Sequence, residues 1–398
     1  MNRGPEAFNH DTNMPALDTL RFRSSPHVEI KRLADLQPDQ REPFVELDAD
    51  PNFYGLFVPK PPLRINLKSV QRPAAELFLH LATPRPLDGA WLDDPNDADD
   101  IVDLVLDGFL EVEHDGQWLF GGDALPILCA PLAPLQVNDA AARLSRNALL
   151  HAQDIESNDA AILSGALYLY HRIPLTPFWR TRLPGRDAVR AHLGVNGGAL
   201  HSLLDREWIE TTPEEPNGWL SWSSRIKLPR DPDRASYKLY VSPRPEWVRD
   251  AFAVVARLLS DFPGLAFKVG DDAVGFLRPE KLVLYLGERD ALAEAAALLR
   301  RELSGCEAHG VPFTAGLDDS GLLSWGMDPP ENDRPLKWLD YKSWRSWITQ
   351  RLGAAMAIGK LARSASALEP WRFAVEYVRR QGMDVETWTP TPKMWSTS

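Results

Sequence analysis

The sequence predicts an α+β fold: two winged-helix-like units on the N-terminal side, followed by an α+β domain with a mixed sheet. Three observations carry the prediction. Helix-period segments before residue 225 run twice into turn-punctuated pairs of short strands. From Tyr237 onward, alternating strands take turns with amphipathic helices. Between the two regimes, Lys227–Ser236 (KLPRDPDRAS) carries charge and two prolines without periodicity, which reads as a linker.

In chain order, SVQRPAAELFLHLA has helical apolar spacing, with Ser69 placed to cap it. Asp99 is placed to cap a helix from about Asp100 to Leu106. Gly108 ends it, and two short strands flank the His114–Gly116 turn. A second helix set covers Asp159–His171, with Ile162, Ala166, Leu169 and Tyr170 as its apolar face. Arg186–Leu193 and Gly198–Arg206 follow, and then strands at Trp208–Thr211 and Trp219–Trp222. The later part offers strands at Tyr237–Ser242, LAFKVG and PEKLVLYLG, and a helix with Pro245 in its first turn. Further helices lie at RDALAEAAALLRRELSGC, Trp344–Ala362 and EPWRFAVEYVRRQG. The expected division is 1–150 with the first unit, 151–230 the second, 235–375 the α+β domain and 376–398 an irregular tail.

Composition narrows the function classes. With 44 Lys+Arg against 56 Asp+Glu, the 398-residue chain has a net charge of −12. That balance argues against a general binder of nucleic acid or anionic membranes. It leaves room for a local basic track, since Arg172, Arg180, Arg182, Arg186 and Arg190 crowd one stretch. Two cysteines, Cys129 and Cys306, cannot build a disulfide framework. No secretory or membrane-spanning segment is visible, so the expected compartment is the cytoplasm. No GxSxG, Walker, HExxH or CxxC pattern occurs, and the nine histidines lack ligand spacing, so neither metal nor cofactor is expected.

The informative cations lie after Ser236. Lys238, Lys268, Arg278 and Lys281 sit in or beside three strands. Period two sets Lys238 with Ser236 and Tyr240, opposite Tyr237 and Leu239. It sets Lys281 with Val283 and Tyr285. Two readings are open: lysines on the solvent face of a half-exposed sheet, or cations converging on an anionic group.

The segments Tyr237–Val241, Phe267–Lys268, Arg278–Tyr285, Pro312–Thr314, Gly321–Pro330 and Ser343–Arg345 resemble the HopA family of type III secretion effectors. The likeness covers about 150 residues. The chain departs from the pattern with Trp325-Gly326-Met327 in place of a more acidic stretch, and with Trp344-Arg345 in place of a Phe-Gly step. Relatives in lanthipeptide-like and thioamide-peptide gene clusters are regarded as lyases that eliminate phosphate from phosphorylated Ser or Thr, after a kinase-like partner protein has phosphorylated the precursor peptide.

The resemblance thus implies a lyase without cofactor. Its base would be a lysine of lowered pKa, Lys268 or Lys238, with Tyr285 and His309 as further catalytic candidates. Arg278, Lys281 and Arg345 would hold the phosphate. His309, in the loop Glu-Ala-His-Gly, also reads as a plain surface histidine. The N-terminal units would bind a leader peptide, scaffold the rest or mediate homo-oligomer formation. Two other functions fit the sequence: a non-enzymatic effector or adaptor that binds a peptide or protein, and a DNA-binding regulator using the unit at 160–222.

Overall fold

The computed structural model describes residues 17–65, 67–130, 135–215, 217–229, 236–328, 343–363 and 367–391. The chain divides into two compact units. One comprises Met1–Pro134, Gln153–Ser164 and Gln350–Val378, the other Leu135–Ala152, Gly165–Thr349 and Arg379–Ser398.

The second unit is built on a seven-stranded sheet. Its strands are β1 (Trp208–Glu210), β2 (Trp219–Ser224), β3 (Ser236–Val241), β4 (Ala266–Gly270), β5 (Leu282–Leu286), β6 (Ala315–Gly316) and β7 (Leu323–Asp328). Their order is β6-β7-β3-β5-β4-β2-β1, and every pairing is antiparallel, so the expected mixed sheet is not what forms. The crossover from β3 to β4 keeps the strand direction, but β5 inserts antiparallel between the two, so no parallel neighbours arise.

One face of this sheet is apolar. Leu220, Trp222, Leu239, Val241, Phe267, Val269, Leu282, Leu284 and Leu323 are all buried there. Helices α1 (Val248–Leu258) and α2 (Arg289–Glu302) pack on that face through Phe252, Val255, Ala295 and Leu299. The centre is aromatic: Phe267 stacks on Trp222 at 5.4 Å and meets Trp208 edge-on at 4.7 Å, while Trp208 Nε1 donates to the Ala256 carbonyl at 3.0 Å. Burying such side chains stabilises the fold by about 1.5–3 kcal/mol each.

The expected boundary at Lys227–Ser236 does not divide this core. Strand β2, expected as the wing of a separate unit, pairs along its length with β4. Val189, Leu193 and Leu204, from the helices before it, share the same cluster. The hydrophobic face of β4 needed a neighbour, and β2 alternates in the matching phase. Residues 230–235 of the expected linker lie outside the described residues.

The first unit holds a four-stranded and a three-stranded sheet. The expected hairpin at Leu110–His114 and Gln117–Leu119 forms, and Arg21–Ser24 pairs with its Leu110–His114 strand. The helix before it begins at Pro95 rather than near Asp100. Asp94 supplies the cap in a reciprocal box with Asp97, and proline at the first position suits that geometry. Ser69 lies in a strand, Lys68–Gln71, and the following helix starts at Arg72. In the core, Phe57 stacks on Phe109 at 4.6 Å. The buried Asp107 accepts from Lys68 Nζ and from the Tyr377 hydroxyl.

Two further expectations shift. In the helix Ala160–Leu169, the buried residues are Ala160, Leu163 and Leu167, whereas Ile162 and Leu169 are exposed. The segment is apolar nearly all round, so its periodicity did not fix the phase. The tail expected to be irregular contains a two-stranded ribbon, Met383–Asp384 with Thr389–Pro390, and Trp388 is buried beside it. Residues 392–398 lie outside the described residues.

Because β2 belongs to the sheet, a fragment of residues 230–398 should not fold cooperatively. It lacks Trp208, Leu220 and Trp222, which cover Phe267. Urea unfolding of the fragment followed by tryptophan fluorescence should show no sigmoidal transition, whereas the whole chain should show one.

Candidate active site

The face of the sheet opposite α1 and α2 carries charge. Register sets Lys238 of β3 directly across from Tyr285 of β5, and Ala266 of β4 across from the other side of the same tyrosine. Lys268, two residues on, therefore shares that face and lies diagonal to Tyr285. Lys238 Nζ and Lys268 Nζ each stand 5.3 Å from the Tyr285 ring centroid. Lys268 also lies 4.2 Å from the Trp219 ring, and the Arg278 guanidinium lies 4.5 Å from that same ring. Trp219 is thus shared by two cations that form no ion pair among the described residues.

The two lysines differ in compensation. Lys238 is buried and ion-paired with Asp328 Oδ2 at 2.5 Å. Lys268 is half-buried and forms no ion pair among the described residues. Burial, followed by the neighbouring Lys238 ammonium, lowers its pKa to about 8. At pH 7 about a tenth of this amine is therefore free base. Burial, then Asp328 and Glu280, push the Tyr285 phenol upward, so it stays protonated as a donor.

Below this pair lies a buried ionic network. Glu280 faces Arg345 Nη1 at 3.2 Å and accepts from the Tyr168 hydroxyl at 3.3 Å. Arg345 Nε donates to the Pro312 carbonyl at 2.9 Å, and its Nη2 to the Tyr168 carbonyl at 2.7 Å. Burial alone would raise Glu280, but Arg345 and Arg278 outweigh it and hold the carboxylate low. The Glu280 charge acts first on Tyr168, whose phenol is raised to about 12. A cavity of about 210 Å³ opens beside this network, lined by Tyr168, Arg172, Val274, Arg278, Glu280 and Arg345.

The structure therefore brings together Lys238, Lys268, Tyr285 and Arg278. It leaves the other three candidates, Arg345, Lys281 and His309, engaged with protein groups. Arg345 is 1% exposed and spends its donors on Glu280 and two carbonyls, so it braces the site rather than reaching a ligand. Lys281 is fully buried, donates to the Arg278 carbonyl at 3.0 Å and contacts His309 Nδ1. The ideal alternation that set it with Tyr285 fails because β5 begins only at Leu282.

His309 is half-buried rather than a free surface group. Its Nε2 lies 2.7 Å from the His171 carbonyl, so Nε2 must carry the proton and Nδ1 accepts from Lys281. Burial, then Lys281 and His171, lower its pKa to about 3. A histidine so placed is neutral and acts as an acceptor for Lys281.

Sequence reasoning missed Asp328, Glu280, Tyr168 and Trp219. A signal existed for two of them. Alternation in Trp219–Ser224 already sets Trp219 opposite Leu220 and Trp222, and Glu280 sits inside the Arg-Pro-Glu-Lys run. Among the described residues, no three His, Cys, Asp or Glu side chains gather into a set that could hold a metal ion.

Removing the Glu280 charge leaves Arg345 buried without its counterion. Glu280→Gln should therefore cost about 3–5 kcal/mol of stability, read as a lowered urea midpoint at unchanged slope. A change within 0.5 kcal/mol would show that Arg345 does not depend on this carboxylate.

No family model matches the chain, and no curated protein matches it. Among solved structures, the effector protein from Pseudomonas syringae pv. tomato strain DC3000 is similar at 12% identity and a TM-score of 0.37, over 63% of this chain and 97% of that one. The effector protein from Pseudomonas syringae pv. syringae strain 61 is similar at 12% identity and a TM-score of 0.37, over 64% and 99%. The likeness is a distant one, of fold alone. Among the described residues, no helix is long and apolar enough to cross a membrane.

Proposed function

We propose that the chain is a lyase that eliminates phosphate from phosphorylated Ser or Thr in a ribosomally made precursor peptide, leaving a dehydroamino acid. The observation that carries the reading is Lys268: a half-buried amine with no counterion among the described residues, on one face with Tyr285 and sharing Trp219 with Arg278. Elimination needs a base for a weakly acidic Cα proton and a cation for the departing phosphate, and these groups meet both needs.

In the proposed step, the neutral Lys268 amine takes the Cα proton, and the C–H electron pair becomes the Cα=Cβ bond. The Cβ–O bond breaks, and its electrons leave with the phosphate. Arg278 receives the phosphate oxygens, and the Tyr285 hydroxyl donates a hydrogen bond to the bridging oxygen. The Lys268 ammonium then passes its proton to the departing phosphate, which restores the free base without a further reactant. Lys238 does not touch the substrate; its paired ammonium favours the free-base form of Lys268. The reaction requires a phosphorylated substrate, hence a kinase-type partner acting first.

Incubation with a phosphoserine peptide should produce a mass loss of one phosphoric acid. Lys268→Arg keeps the charge but cannot shed a proton near neutral pH. It should lose elimination by roughly 10²–10⁴-fold while still binding phosphopeptide in fluorescence anisotropy. Near-normal elimination by Lys268→Arg would remove this lysine as the base.

The pH profile supplies a second check. Only the unprotonated amine accepts a proton, so kcat/KM should rise about tenfold per pH unit at low pH and level off near pH 8. A profile that falls between pH 6 and 8 would contradict a lysine base.

A further inference from the structure

Five arginines crowd residues 172–190, and the fold assigns them different work. Arg186 is tied to Asp271 at 3.1 Å and to the Pro213 carbonyl at 2.8 Å. Arg190 is paired with Glu210 at 2.5 Å. Arg172, Arg180 and Arg182 have no carboxylate partner among the described residues. Arg172 is half-buried in the wall of the site cavity, while Arg180 and Arg182 are exposed.

The backbone aligns these three with the site. Ile173 N donates to the Leu277 carbonyl at 2.9 Å, and Ala273 N donates to the Leu183 carbonyl at 3.2 Å. The segment Ile173–Leu183 therefore runs antiparallel to the helix Ala273–Leu277, whose Val274 lines the cavity and whose end leads into Arg278. Arg172 itself lines the cavity. The helix Pro177–Arg182 carries Arg180 and Arg182 outward, with Phe178 60% exposed between Arg172 and Arg180 in the sequence. Arg182 lies 5.8 Å from the Phe178 ring.

An unneutralised basic run on a chain of net charge −12 attracts an anionic partner from a surface that otherwise repels one. We propose that this segment is the docking track for the substrate peptide, and that it selects phosphopeptides with acidic residues beside the phosphorylated one. Arg172 joins Arg278 at the phosphate, Arg180 and Arg182 meet the flanking carboxylates, and Phe178 offers an apolar ledge between them. The inference rests on the lyase reading for the identity of the phosphate site. It adds the class of peptide that reaches it.

The test measures binding to the full chain by fluorescence anisotropy at low and moderate salt. The probes are three labelled phosphoserine peptides identical except for flanking Glu, Gln or Lys. The Glu-flanked peptide should bind roughly fivefold tighter than the Gln-flanked one, and salt should erode the difference, as for screened surface pairs. The double variant Arg180→Ala/Arg182→Ala should abolish the preference, and Arg172→Ala should weaken all three peptides alike. Equal affinities, a preference unchanged in the double variant, or displacement of the peptide by a DNA duplex at low salt would overturn the proposal. The two readings fail separately. Elimination without flank preference sinks the docking track alone, whereas flank preference without any elimination sinks the lyase reading alone.

Discussion

The ion pair between Arg345 and Glu280 is the constraint on which the site depends. Two charges out of water cost several kcal/mol each unless every donor and acceptor is met. Here they are met by groups from four separate stretches: Arg345 itself, Glu280 ahead of β5, the Tyr168 hydroxyl and carbonyl, and the Pro312 carbonyl. A loop, a strand entry and two helices are thus tied at one point within the same unit. None of these contacts could be satisfied by a slipped register, because each donor has a fixed carbonyl or carboxylate to reach. The pair gives specificity of arrangement more than net stability.

Charge compensation then sorts the neighbouring cations into braces and free agents. Lys238 has Asp328 and Arg345 has Glu280, while Lys281, its pKa pushed well down by burial, is hydrogen-bonded to His309 and a carbonyl. Among the described residues, Lys268 and Arg278 have no ion pair; they share the face of Trp219, and Lys268 also lies near the Tyr285 ring. A ring face stabilises a cation without removing its charge or blocking its donors. The two groups left in that condition are those that can meet an incoming anion. Their isolation follows from alternation, since β5 contributes Val283 and Tyr285 to this face rather than a carboxylate.

Much of this was legible in the sequence, and the limits have physical causes. The strand β3 announces itself by alternation and β5 by a more continuous apolar run, and period two already set Lys238 apart from Leu239. The helices Val248–Leu258 and Arg289–Glu302 follow from spacing and from charged first and last turns. What alternation cannot supply is which strands become neighbours. Trp219 joined the site because β2 crosses what reads as a linker to pair with β4, and proline-rich charge around residue 230 says nothing about where the chain returns. Asp328 and Glu280 stayed hidden for a related reason. A carboxylate's partner is decided by folding, and in sequence each is one acid among 56.

The four residues Arg278-Pro279-Glu280-Lys281 show how a short irregular stretch distributes function. Had the ladder of β5 extended back to Arg278, Lys281 would have joined Tyr285 and Glu280 would have turned to the apolar face. The ladder begins at Leu282 instead, and proline brings no N–H to extend it. Two of the carbonyls outside the ladder are met by side chains. The Arg278 carbonyl accepts from Lys281, and the Pro279 carbonyl accepts from the Ser242 hydroxyl at 2.6 Å. Fixed in this way, the stretch sends Glu280 to Arg345 and Lys281 to His309. Arg278 is left with its backbone held and its guanidinium over Trp219, without an ion pair among the described residues. A rigid backbone under a free charge loses little entropy when an anion arrives, which is the condition a phosphate contact needs.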